Sequence, residues 1–347
     1  WLGVFYVLWG VTYTLMDIPF WSMIPAITNP GKDREQMSSI ARSCAGIGDA
    51  LPTVLTMVVV PIFSQTTVIS GYTKGFRIWA TIIAVFFVIS ELICVLNVPE
   101  RDVEQEKSLG VLEMFKALFR NDQALTIVLS IILVYTALNI VGNLILYFFQ
   151  FDVGNTDAYS VFTAVCFAAQ VLIMMLLPSF RKKFSKTQLF MAGFAIQIIG
   201  FAVILIFAYT HVYQSNWLVL CIPGILVYGG YGMLNVLLTI FLSDSVDYGE
   251  YKNGTRDESV IFSMQTFTVK LASGLAVFLA GLIIDWIHLD TEALTQTEET
   301  LSGLRLWMTV PSIILLVVGI FVYRFCYKLN DKKMEEVCKA IGKEVQD

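Results

Sequence analysis

The sequence predicts an all-α polytopic membrane protein, and three observations lead to this class. Of the 347 residues, 56% are hydrophobic and only 15% are charged, whereas soluble domains carry about a quarter charged residues. The mean hydropathy is +0.71. The charges are collected in short clusters between apolar stretches that are long enough to cross a bilayer as helices. These stretches predict nine spans, at about residues 1–29, 38–64, 76–98, 122–150, 158–180, 186–210, 216–243, 259–288 and 304–328.

Positive charge alternates between the successive connections of these spans. Most of the 23 Lys and Arg residues lie in one set of connections. That set comprises 31–37, 99–121, 181–186, 244–258 and the segment that follows the last span. The positive-inside rule places this set, and with it the C-terminus, in the cytoplasm. Nine spans then put Trp1 on the outer side, so we expect an odd number of further spans, most simply three, to precede it.

The longest charged connection, 99–121, is the expected domain boundary. Its apolar residues between Val111 and Phe119 form a short amphipathic pattern, which predicts a helix at the cytoplasmic surface. Residues 1–98 would then be the last three helices of an N-terminal bundle, and 122–328 a complete C-terminal bundle of six. Residues 329–347 would form a cytoplasmic tail. A single bundle of nine helices is the alternative.

Known enzymatic motifs are absent from the sequence. It contains no phosphate-binding glycine loop, nucleophile elbow or zinc signature. The six cysteines are scattered without a C-x-x-C pair, and the two histidines fall near predicted outer loops. We therefore expect no enzyme, no transition-metal site and no cofactor.

The first span contains a polar face. Tyr13, Thr14, Asp17 and Trp21 follow one another at spacings that place them on one side of a helix. A carboxylate at mid-membrane depth costs roughly 2.5–3.5 kcal/mol, so it normally faces a cavity or a partner. An acid, a hydroxyl and a large aromatic suit a polar, ring-shaped ligand. The alternative is a buried acid that a neighbouring helix satisfies.

Further ionisable residues within spans are Arg42, Asp49 and Lys270. Arg42 and Asp49 are seven residues apart and share a helix face, which is also consistent with a private salt bridge or with Arg42 reaching the cytoplasmic interface. Lys270 lies near the middle of the membrane, and its side chain is too short to reach either surface. A buried ammonium needs a carboxylate partner to keep its proton, and Asp17 is the expected one. The pair would be either a fixed structural contact or one that re-forms as a ligand binds.

The segment 244–258 has a high density of mixed charges and is predicted to be a cytoplasmic loop. A solvated loop is one interpretation. The other is an inner gate, in which charge pairs form in one conformation and break in another. The candidate gate residues are Asp244, Asp247, Glu250, Arg256 and Glu258.

Four groups of residues resemble one transporter family. They are Asp17-Ile18-Pro19-Phe20-Trp21, Arg34-Glu35-Gln36 with Arg42, Val246-Asp247-Tyr248-Gly249-Glu250-Tyr251-Lys252, and Gln265-Thr266 with Lys270. In these segments the chain resembles the melibiose permease-like glycoside–pentoside–hexuronide:cation symporters of the major facilitator superfamily. The resemblance spans most of the chain and implies that residues 1–29 are the fourth of twelve helices.

The resemblance also implies roles for individual residues. Asp17 and Arg42 would be polar sugar ligands, and Trp21 with Tyr13 would form an aromatic wall. Thr14 and Asp17 would belong to the cation site, and Lys270 would lie beside both the cation site and the sugar site. Gln265 and Thr266 would line the cavity. Asn235 stands where the family has a sugar-binding aromatic, which departs from a galactoside pattern. Asp49 matches no family ligand, and the family's cation-binding aspartates lie largely on a helix that this sequence does not contain.

The function that this resemblance implies is symport of a glycoside, pentoside or hexuronide with Na⁺, Li⁺ or H⁺ by alternating access. A functional monomer in the cell (inner) membrane is expected, with a small sugar and the lipid bilayer as partners and no nucleic acid. Two alternatives remain at this point. One is a carrier of lysolipids or other amphiphiles with the same fold, and the other is a fragment that does not transport.

Overall fold

The computed structural model of the chain describes residues 1–65, 71–98, 110–256, 258–291, 293 and 295–343. In these residues the regular structure is helical. The α-helices are α1 (Leu2–Ile27), α2 (Lys32–Ser64), α3 (Thr73–Asn97), α4 (Val111–Arg120), α5 (Asp122–Tyr147), α6 (Thr156–Arg181), α7 (Lys186–Thr210), α8 (Cys221–Asn253), α9 (Glu258–Trp286), α10 (Glu298–Cys326) and α11 (Asp331–Ala340).

Long helices occupy all nine predicted spans. In the described part of the chain, seven helical stretches are both long and apolar enough to cross a membrane, and they correspond to the third through ninth spans. Helices α1 and α2, of 26 and 33 residues, occupy the first two. The all-α, polytopic class is confirmed.

One predicted loop is wrong. The segment that begins at Asp244 does not leave the helix after the seventh predicted span, because α8 continues to Asn253. Asp244 and Asp247 are buried within it. The charges that made this segment look solvated are instead neutralised by partners on other elements, as described below.

The chain divides into two units. The first comprises residues 1–43 and 109–347, and the second comprises residues 44–108. The predicted amphipathic helix is present as α4, where the Glu113 carboxylate accepts a hydrogen bond of 3.1 Å from the Gly110 backbone N–H. The rest of the predicted linker, 99–109, lies outside the described residues. The boundary at 99–121 stays a prediction.

Helix α8 forms the centre of the first unit. It packs against α7, α6 and α5, and α5 packs in turn against α9 and α10. Small residues allow close approaches between these helices: a Cβ at Gly230 would stand 2.9 Å from both the Gln197 backbone nitrogen and the Gly193 carbonyl oxygen. Such glycines are typical of helix contacts in membranes, where van der Waals packing holds helices together.

Gly230→Ala is therefore expected to lower the thermal unfolding temperature, since the added methyl would force two backbones apart. Gly281→Ala in α9 is the matched control, because a Cβ there meets nothing within 4 Å and alanine favours the helix by about 1 kcal/mol. Thermal unfolding of the purified protein measures both. A control variant as unstable as Gly230→Ala would contradict this account.

A buried ion pair connects two elements of the first unit. It lies on the side of the unit where α7 ends and α10 begins. After α5, residues Phe148–Asp152 form a π-helix, a feature that often re-aims side chains. There Asp152 accepts bonds of 2.7 and 2.8 Å from the Arg305 guanidinium and one of 2.7 Å from the Tyr213 hydroxyl. Arg305 also pairs with Glu298 at 2.6 Å. The contacts join α5 to α10.

The second unit contains the remainder of α2 and α3. Its helices approach closely at Gly75, whose N–H donates to the Ser64 hydroxyl at 3.0 Å. The Trp79 indole N–H donates to the Thr56 hydroxyl at 2.9 Å. Asp49, which matches no family ligand, lies in this unit and is exposed.

Candidate functional site

Asp17 is the centre of a polar cluster on α1. Its Oδ1 accepts hydrogen bonds from the Trp21 indole N–H at 2.8 Å and from the Tyr13 hydroxyl at 3.3 Å. Both donors are four residues away, so a single helix face provides them. The other carboxylate oxygen accepts a bond of 3.0 Å from the Thr266 hydroxyl on α9. Three donors thus hold the carboxylate, and one of them connects α1 with α9.

Lys270 does not pair with Asp17, which corrects the partner expected from the sequence. Its ammonium donates instead to the Gly10 carbonyl oxygen at 3.1 Å and, in a very short contact, to the Thr14 hydroxyl. The ammonium also lies 5.5 Å from the centre of the Tyr13 ring. Among the described residues no ion pair involves Lys270. Oxygen dipoles of α1 and an aromatic face stabilise the charge in place of a carboxylate.

Arg42 lies against Trp21. The guanidinium carbon is 3.7 Å from the centre of the indole ring, a close cation–π contact. Arg42 also donates from Nε to the Thr239 hydroxyl on α8 at 2.6 Å. Trp21 itself is 7% exposed. The indole of Trp21 therefore contacts both predicted sugar ligands: its N–H edge donates to Asp17, and Arg42 covers a face of its ring.

Helix α8 adds a second polar face, of which only Asn235 was recognised in the sequence. Asn235 donates from Nδ2 to the hydroxyls of Tyr231 and Tyr135, at 3.0 and 3.1 Å, and its backbone carbonyl oxygen accepts from the Thr239 hydroxyl. Positions 231, 235 and 239 are successive turns of one helix, and this spacing was a signal available in the sequence. Tyr135 lies on α5, and no spacing in the sequence indicated that it contacts α8.

Asn235 and Gln265 are two of the buried side-chain amides whose acceptor is unused in the described structure. Asn235 and Gln265 are 7% and 5% exposed, and neither side-chain carbonyl oxygen has a hydrogen-bond partner in the described structure. A buried acceptor without a partner carries a desolvation cost of about 1–3 kcal/mol, which a donor from a ligand removes. Hydroxyl groups provide such donors.

The candidate gate residues on α8 form a buried charge network. Arg34 of α2 donates to Asp244 at 2.9 Å and to Asp247 at 2.7 Å, and these three side chains are at most 1% exposed. Lys186 at the start of α7 pairs with Asp244 at 2.7 Å. The network joins α2, α7 and α8, as a gate between helices requires.

Arg256 contacts three of the other candidate gate residues. It pairs with Asp247 and Glu250, each at 2.8 Å, and makes a very short contact with Glu258. It also donates to the Pro25 carbonyl oxygen on α1 at 3.0 Å. Burial lowers the pKa of Arg256, but the carboxylates of Glu258, Asp247 and Glu250 raise it by more, so the guanidinium stays charged.

The segment after α10 participates in this network, which the sequence did not reveal. The Lys343 ammonium pairs with Asp247 at 2.7 Å and with Glu250 at 3.3 Å. Helix α11 packs against α8 through its buried residues Met334, Val337 and Cys338. In its described residues, up to 343, the predicted tail is therefore folded, and it contributes a cation to the candidate gate residues.

A family model described as MFS/sugar transport protein matches residues 1–331. The chain belongs to this family. Its members are transporters of the major facilitator superfamily rather than enzymes, so the predicted class is confirmed, as is a multi-pass membrane protein.

Several named sugar transporters are similar to the chain. The raffinose carrier protein of Pediococcus pentosaceus is 30% identical over 327 residues, which are 92% of this chain and 50% of that protein. The lactose permease of Lactobacillus delbrueckii subsp. bulgaricus is 25% identical over 96% of this chain and 53% of its own length. A putative sulfoquinovose importer of Escherichia coli is 26% identical over 97% of this chain and 70% of its own length. The chain thus spans about half the length of the first two relatives.

Proposed function

We propose that the whole protein is a cation-coupled symporter that carries a glycoside, pentoside or hexuronide across the cell membrane by alternating access. The observation that carries the proposal is the cluster of Asp17, Trp21 and Arg42 beside the two unsatisfied amides. It combines a charged acceptor, a charged donor, an aromatic ring and free carbonyl oxygens. The named functions of the similar proteins, which include raffinose and lactose carriers, support a sugar as the substrate.

Sugar binding would use the free donors of Arg42 and the ring face of Trp21. The described hydrogen bond of the Arg42 side chain uses Nε, which leaves both terminal nitrogens of the guanidinium for sugar hydroxyls. The guanidinium covers one face of Trp21, so a sugar ring that stacks there takes the place of Arg42. Arg42 then turns from the ring to the hydroxyls. Sites built from buried hydrogen-bonding groups discriminate strongly between ligands with and without the matching hydroxyl.

The coupling cation would bind near Thr14, Asp17 and Lys270. The Lys270 ammonium is bonded to the Thr14 hydroxyl and the Gly10 carbonyl, which are the kind of hard oxygen ligands that Na⁺ or Li⁺ also prefers. A bound cation would compete with this ammonium for the same oxygens. Because Thr14 and Asp17 are one turn apart, occupancy of one site changes the other, and linkage requires the effect to be reciprocal.

Alternating access would depend on the charge network around Asp244 and Asp247. It joins elements from both predicted bundles, and such pairs have two discrete states, made or broken. The alternation of positive charge along the chain supports a cytoplasmic position for this end and for the C-terminus. The network would close the cytoplasmic side of the site in the conformation described here.

Trp21→Phe is expected to weaken sugar affinity about tenfold and cation affinity less. The substitution removes the indole N–H that orients Asp17 and reduces the stacking face, whereas Thr14 and Lys270 are unchanged. Titration calorimetry with sugar and with Na⁺ separates the two affinities. Trp286→Phe on α9, a tryptophan that is 69% exposed, is the control. Equal losses for sugar and cation would contradict the stacking role.

The transport proposal itself is tested by uptake into proteoliposomes that contain the full-length protein. Radiolabelled raffinose, lactose and a glucuronide are each offered under an inward gradient of Na⁺, Li⁺ or H⁺. Uptake of at least one sugar that requires one of these gradients is the expected result. Absence of uptake for all combinations, together with binding of a lysolipid that sugars do not displace, would favour the amphiphile carrier instead.

A further inference from the structure

A basic cavity lies beside the charge network and has no part in the sugar site. It has a volume of about 1020 Å³ and is formed by the start of α2, the end of α6, the start of α7 and the segment from α11 to Lys343. Seven basic and three acidic residues line it. A volume near 1,000 Å³ is large enough for a drug-sized ligand.

The acids of the cavity are already paired. Glu35 accepts from Arg181 at 2.8 Å, and Glu335 accepts from Lys339 at 2.7 Å. Asp331 lies 3.7 Å from Arg181 and 3.8 Å from Lys186. These ion pairs therefore compensate the negative charge of the lining, and the acids do not neutralise the remaining lysines.

Three lysines of the lining have no carboxylate partner in the part of the chain that the structure describes. Lys32, Lys182 and Lys332 come from three different segments and border the same cavity, and within the described residues no ion pair joins any of them to a carboxylate. The positive-inside rule accounts for basic residues at this end. It does not account for their convergence on one concave surface, where their fields add and attract anions.

We propose that this cavity binds a multivalent phosphate group, held by Lys32, Lys182 and Lys332. Phosphate provides several charged acceptor oxygens, and lysine ammonium groups bind it as point charges. The phosphate belongs either to a soluble metabolite or to the headgroup of an anionic lipid, since both have the same chemistry at the lysines.

A ligand bound in the cavity would weaken ion pairs of the candidate gate residues. Lys186 and Lys343 border the cavity and pair with Asp244 and Asp247, each at 2.7 Å. A bound phosphate competes with these carboxylates for the two ammonium groups. Any resulting effect on uptake rests on the proposed function, whereas binding itself is measured without transport.

The chain offers a matched pair of double variants for the test. K182Q/K332Q removes two lysines of the lining. K183Q/K333Q removes their immediate neighbours in the same two segments, which do not line the cavity. Both variants lose the same charge, so a diffuse surface potential would respond equally to both. Thermal unfolding of each variant shows that it is folded.

The probe is inorganic pyrophosphate, titrated calorimetrically into the full-length protein in phosphatidylcholine nanodiscs. We expect saturable binding that weakens about tenfold in K182Q/K332Q, or about 1.4 kcal/mol, and is unchanged in K183Q/K333Q. Weaker pyrophosphate binding in phosphatidylglycerol nanodiscs would identify a lipid headgroup as the source, and equal binding would identify a soluble phosphate. Absence of saturable binding, or equal losses in the two double variants, would overturn the proposal.

Discussion

Asp17→Asn is expected to abolish measurable sugar binding while the protein still inserts and folds. The carboxylate accepts bonds from Trp21, Tyr13 and Thr266 and would be the charged acceptor for sugar hydroxyls. An amide keeps one acceptor oxygen and turns a donor toward groups that are themselves donors. Hydrogen bonds to a charged group contribute about 1.5–3 kcal/mol each. Loss of two such bonds lowers sugar affinity by more than a hundredfold.

Equilibrium binding of sugar to the purified full-length variant measures this effect, with thermal unfolding as the test of folding. Asp285→Asn is the control, because Asp285 is an exposed carboxylate near the end of α9 and is remote in sequence from the polar stripe of that helix. Its affinity for sugar is expected to equal that of the unmodified protein. Unmodified affinity in Asp17→Asn would exclude the carboxylate as a sugar ligand.

Asp247→Asn is expected to cause the largest loss of stability. Asp247 is fully buried and accepts from Arg34 at 2.7 Å, Arg256 at 2.8 Å and Lys343 at 2.7 Å. Removal of one partner of a buried ion pair costs about 3–5 kcal/mol, because the remaining charge is left uncompensated. In this variant, three cations lose the carboxylate that they share. We therefore expect a strongly lowered unfolding temperature.

Glu250→Gln provides a control within the same network. Glu250 shares Arg256 and Lys343 with Asp247, but its side chain is 31% exposed, so water compensates for much of the lost charge. Its substitution is expected to cost about 0–1 kcal/mol. Thermal unfolding of both variants compares them directly. A shift for Glu250→Gln as large as that for Asp247→Asn would show that burial does not determine the contribution of these carboxylates.

The sequence alone determined the helical spans and the local part of the site. Apolar stretches must match the thickness of the bilayer, which is why the predicted span 186–210 agrees with α7 at both ends. Contacts of Asp17 with Tyr13 and Trp21 follow from helical spacing alone, because residues four apart share a face. The clustering of gate charges near Asp247 was likewise visible in the sequence.

Only the tertiary structure decided which charges meet. Lys270 was assigned to Asp17 on grounds of depth, yet it binds the Gly10 carbonyl, since depth does not specify how two helices are rotated about their axes. Asp244 looked like part of a solvated loop. Arg34, 210 positions away in the sequence, neutralises it, and the helix can therefore continue through a buried acid. Partners so distant in the chain are brought together by packing between helices, and no local pattern of residues records that packing.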